Sequence, residues 1–147
     1  VIRSTLFPPT EGEKEECNDW DSSEDFINPG LWAKNLALFL IEQLRKHGFD
    51  PDEDRTVEDW GNVVSVASTI PTLLGLAVGC ASYHAEDGQD GDDDEYRLDF
   101  TMPDTRTVRR WFKTIDVSDE VMRLADTIQT IFETNDGIEL IERRIPK

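Results

Sequence analysis

Glu58-Asp59-Trp60 sets two carboxylates beside an indole, a grouping suited to acid–base chemistry because an apolar neighbour raises a carboxyl pKa. Adjacent strand residues point to opposite faces, however, so the two acids would not cooperate there. The plainer reading has this stretch lead into a strand with Trp60 in the core. The run Glu86 to Glu95, E-D-G-Q-D-G-D-D-D-E, offers many oxygens to a hard cation. It does not meet the D-x-[DN]-x-[DN]-G-x5-E spacing, and a flexible acidic turn is the better reading. His47 and His84 are the only histidines, and Cys17 and Cys80 the only cysteines, with no ligand spacing among them. No zinc site, other metal or cofactor is therefore expected. No G-x-S-x-G or comparable nucleophile motif occurs, although triads assemble in space rather than in sequence. The chemistry favours binding over catalysis.

Charge is the outlying property. The 147 residues carry a formal net charge of -17, with 18 Asp and 14 Glu against 5 Lys and 10 Arg. Such a chain repels nucleic acid and anionic membranes and attracts basic partners. Arg106, Arg109, Arg110 and Lys113 around Trp111-Phe112 form the only basic cluster, too small on this background for a nucleic-acid surface. Three stretches, Glu11–Asp25, Asp50–Asp59 and Glu86–Glu95, hold 21 of the 32 acids. The expected partner-binding residues lie in them: Asp19, Trp20 and Asp21; Asp52, Asp54, Glu58, Asp59 and Trp60; and Asp92, Asp93 and Asp94. The expected function is an acidic protein-binding module, in its most specific form an immunity-like neutraliser of a basic bacterial toxin. The alternatives are a phage or host-defence inhibitor that imitates nucleic acid, a small-ligand domain or enzyme, and a merely solvated or salt-adapted surface.

These residues need a frame. At 37% hydrophobic content the chain suits one domain over residues 1–147, with residues 1–27 partly irregular and Trp20 and Phe26 pinning that segment to the core. The principal helix is expected from Asn28 to Gly48. Asn28 is its N-cap, Pro29 its first helical residue and Gly48 its left-handed stop, with Ala33, Ala37, Leu40, Ile41 and Leu44 as its apolar stripe. Val1–Phe7 suggests a short edge strand or extended arm ending at Pro8-Pro9, and Val63–Ala67 a strand. Thr72–Tyr83 alternates Leu74, Leu76, Val78 and Cys80 with a nearly bare second face, and Tyr96–Met102 alternates likewise, so the two should pair as a hairpin. Val108–Phe112 reads as a helical turn or short helix. Ser118 should cap a second amphipathic helix to Asn135, and Ile138–Ile145 is a last strand or tail. The fold class is α+β, a mainly antiparallel sheet with two principal helices packed on one face. A dispersed cysteine pair and no signal peptide or long apolar run point to a cytoplasmic protein.

The motifs S-T-L-F-P-P at Ser4–Pro9, I-N-P-G at Ile27–Gly30, E-D-W-G at Glu58–Gly61, G-C at Gly79-Cys80 and V-R-R-W-F at Val108–Phe112 occur together. In this combination the chain resembles a group of small uncharacterised bacterial proteins, from about Ser4 to about Ile131. The resemblance implies one compact α/β domain and carries no activity. At Asn62, and at Leu76-Ala77-Val78, this chain lacks aromatics that the group carries.

Overall fold

A computed structural model describes residues 1–14, 31–70, 75–82, 94–102, 107–110 and 113–144. In chain order the elements are β1 (Ile2–Arg3), α1 (Glu11–Lys14), α2 (Lys34–Lys46), β2 (Thr56–Glu58), β3 (Gly61–Val66), β4 (Leu76–Ser82), β5 (Glu95–Met102), β6 (Thr107–Arg110), β7 (Lys113–Asp116), α3 (Ser118–Thr134) and β8 (Glu139–Leu140). Six strands form one antiparallel sheet in the order β2-β3-β4-β5-β1-β8, and β6–β7 is a separate ribbon. The fold is α+β, as the alternation of strand and helix patterns implied.

Register explains which face is buried. Val66 lies opposite Leu76, Val64 opposite Val78 and Asn62 opposite Cys80; further along, Ser82 lies opposite Tyr96, Tyr96 opposite Ile2 and Ile2 opposite Leu140. These residues share one face by the two-residue period of a strand. Leu36, Ala37, Leu40, Ile41 and Leu44 of α2, and Val121, Leu124, Ile128, Ile131 and Phe132 of α3, join that face in one core. Leu40 is fully buried, a position where a leucine contributes about 1.5–3 kcal/mol relative to exposure.

The two ends of α2 arise differently. At the C-terminus Gly48 takes φ 79°, its N–H donates to Arg45 O and that of Phe49 donates to Leu44 O. This is the left-handed stop that the glycine implied. At the N-terminus residues 31–33 are not helical, so α2 begins at Lys34 and not at the Asn28–Pro29 signal, which lies outside the described residues. Ala33, the capping residue, has no side-chain oxygen to offer. Glu13 supplies one instead: its Oε1 accepts the N–H groups of Ala33 at 2.9 Å and Lys34 at 2.8 Å. Its Oε2 accepts the Thr10 N–H at 2.9 Å, while Thr10 Oγ1 accepts the Glu13 N–H, a reciprocal capping box around α1. Within the stretch expected to be partly irregular, Glu11–Lys14 is therefore a helical turn with a buried carboxylate. Trp20 and Phe26 lie outside the described residues.

Three further expectations are corrected. β1 is not an edge strand, because β8 pairs on the side away from β5 and the N-terminal ammonium donates to Glu142 O. Val108–Arg110 is strand and not helix, while Trp111 and Phe112 lie outside the described residues. Val108 pairs with Ile115 and Arg109 with Thr114 across the β6–β7 ribbon, whose β-branched residues suit extended backbone. At α3 the side-chain cap is Asp116, whose Oδ1 accepts the Ser118 N–H at 2.9 Å; Ser118 is the first helical residue.

Candidate partner-binding edge

β2 and β3 are joined by two residues, Asp59 and Trp60, with Glu58 opposite Gly61 as the closing pair. So tight a turn brings the following backbone close. A Cβ at Gly61 would stand 2.5 Å from Cys80 O, so only glycine fits where β3 meets β4. Trp60 falls at the tip and is 39% exposed, which overturns its assignment to the core: a turn residue has no neighbouring strand to cover it. Glu58 and Asp59 beside it are exposed, as are Asp52, Glu53 and Asp54 on the approach to β2.

The fold divides the expected binding residues. Asp52 N–H donates to Ser65 O and Ala67 N–H to Asp50 O, which fixes Asp50–Asp52 beside the far end of β3, with Arg45 Nη2 donating to Asp52 O. Asp54 turns onto its neighbour, its Oδ1 accepting the Arg55 N–H at 2.8 Å. Glu58, Asp59 and Trp60 lie at the opposite, near end. At that same end β4 leaves at Ser82 and β5 begins at Glu95. The start of α2 is tied there too, since Ser82 N–H donates to Trp32 O at 2.7 Å. Adjacent strands lie about 4.8 Å apart, so the hairpin tip and both ends of the β4–β5 connection share one rim. Asp94, at the β5 end of that connection, faces Arg3, which also pairs with Glu95 and Glu139. The Asp94 carboxylate stands at the margin of this cluster, 4.0 Å from Arg3 Nε. Asp19, Trp20, Asp21, Asp92 and Asp93 lie outside the described residues.

Sequence reasoning missed two residues here. Glu13 was signalled by T-E-G-E, the capping-box spacing from Thr10. Asn62 had no local signal: it is the second residue of β3, on the core face at 1% exposure, and neither Oδ1 nor Nδ2 has a hydrogen-bond partner. Elsewhere, burial pulls the Glu120 carboxyl upward, but hydrogen bonds from Ser68, Thr69 and Ile70 outweigh it and hold the group below its usual range. An open groove of about 480 Å³ along α3 is lined by His47, Asp119, Met122, Arg123, Asp126, Thr127 and Thr130. Its polar groups are turned to structure: Arg123 stacks on Phe49 at 4.4 Å and Asp126 pairs with Arg143. Among the described residues no three His, Cys, Asp or Glu side chains are grouped to hold a metal ion, and no helix is long and apolar enough to cross a membrane. Comparison with protein-family models, with curated proteins and with solved structures finds no match to this chain.

Proposed function

We propose that this protein is an acidic binding module that docks on a basic protein through the β2–β3 hairpin and the rim beside it. The observation that carries the reading is the exposed Trp60 at the hairpin tip, flanked by exposed Glu58 and Asp59. An aromatic anchor beside carboxylates combines the contact that holds a complex with the charges that speed its formation and set its register. The net charge of -17 gives the same sign to the long-range field. In its most specific form the partner is a cationic toxin and the protein its immunity-like neutraliser. The test is a pull-down with the product of the neighbouring gene, followed by binding kinetics at low and high salt. A cationic partner whose association slows with salt and with Glu58→Gln/Asp59→Asn supports the reading. Association insensitive to both overturns it.

A further inference from the structure

We propose that β2 receives an extended, basic segment of the partner by strand addition, with Val57 as the pairing residue. This rests on the reading of the acidic hairpin as a binding surface and names the form of the contact. β2 ends the six-stranded sheet. Beyond the closing pair Glu58–Gly61 only the two turn residues remain, so that pair must exchange both its hydrogen bonds, and the antiparallel alternation turns Val57 away from β3. The Val57 N–H and C=O therefore point outward and have no partner among the described residues. Thr56 and Glu58 on either side are exposed on the sheet face opposite the helices, while Val57 is half-buried on the core face.

Charge selects the occupant. Asp52, Glu53, Asp54, Glu58 and Asp59 are exposed along this stretch, whereas the one cation within it, Arg55, keeps a side chain only 7% exposed. A basic strand is complementary to that edge, and a second copy of the same acidic edge is repelled. Asn62 points to a ligand independently. It is the cross-strand partner of Val57 on the same face, and its buried amide has neither atom bonded. Such a group costs stability and gives nothing back in the chain alone. A Lys or Arg opposite Val57 on an added strand would lie on that face, about two strand spacings, roughly 10 Å, from Asn62. Its stem could lie along Val57 and carry the charged end toward Asn62 Oδ1.

The experiment uses the full chain, labelled with ¹⁵N, and a ten-residue peptide alternating Lys with Val and Thr at low salt. The control is the same peptide N-methylated along one edge, equal in charge but unable to pair. Strand addition expects the plain peptide to slow Val57 amide exchange at least tenfold and to bind at least tenfold tighter than the control. It also expects Asn62→Val to raise Tm while weakening the plain peptide severalfold; the exchange measurement on the unaltered chain does not depend on that variant. Equal binding of both peptides, with Val57 exchange unchanged, overturns strand addition but leaves the acidic-surface reading standing. Binding of neither peptide, and of no cationic protein, overturns both. A dimer in sedimentation that Val57→Pro abolishes assigns the edge to a second copy and also overturns the inference.

Discussion

The carboxylate of Glu13 accepts the backbone N–H of Ala33 at 2.9 Å, so the N-terminal segment holds the start of a helix twenty residues further on. One side chain thereby serves two helix starts, since its other oxygen closes the turn from Thr10. Glu13→Ala should lower stability by about 2 kcal/mol, because it removes a charged cap from a helix whose own capping residue is alanine. Glu13→Gln should recover only part of this, as its NH₂ must face an N–H that needs an acceptor. Chemical denaturation of the three proteins checks the order.

The close approach at the hairpin makes a second prediction. Gly61→Ala places a Cβ 2.5 Å from a backbone oxygen that cannot move without shifting β4. It should cost about 2–3 kcal/mol. Gly48→Ala meets nothing within 4 Å but must adopt φ 79°, and should cost about 1 kcal/mol. A comparison of the two midpoints separates a packing requirement from a conformational one.

Glu120 makes the stability of the loop at Ser68–Ile70 depend on pH. Its hydrogen bonds with Ser68 and Thr69 favour the ionised carboxylate, so its folded-state pKa lies below the unfolded one. A depressed carboxyl contributes stability that is present above the unfolded value, near 4.5, and is lost as pH falls through the folded value. Glu120→Gln should therefore lower Tm at pH 7 only slightly, because solvent screens so exposed a carboxylate, with the gap to the unaltered protein narrowing as pH falls below about 4.5. A gap of constant size down to pH 3 would contradict the assignment.

The hairpin tip supplies the binding prediction. Trp60→Ala should raise the dissociation rate of a cationic partner by about 30-fold or more, the loss of an anchor worth at least about 2 kcal/mol, and leave the salt dependence of association unchanged. Glu58→Gln/Asp59→Asn should do the reverse, slowing association and flattening its salt dependence. Both variants should keep the Tm of the parent within a few degrees, because all three side chains are exposed. Stopped-flow or surface-based kinetics at two salt concentrations separates the two effects.

Much of the frame was legible in the letters. The apolar stripe from Ala33 to Leu44, the stop at Gly48 and the alternation of Leu76, Val78 and Cys80 each follow from local sterics and a fixed period, which a chain carries wherever it folds. The same holds for the pairing of β4 with β5, since each strand carries an alternating apolar face and the two follow one another in the chain. Long-range pairing was not legible. The start of α2 depends on a carboxylate from another segment, and β1 is interior only because Glu139–Leu140 returns beside it. Trp60 was misread for a related reason: an indole looks like core until the register places it at a two-residue turn. Composition alone determined that this protein is acidic, and residue order which stretches hold the acids. Only the tertiary structure decided that Asp52 and Asp59 stand at opposite ends of β3, that Asp94 comes beside Arg3, and that Asn62 is buried without a hydrogen-bond partner. Those outcomes depend on which strands become neighbours, and contacts between residues far apart in sequence decide that.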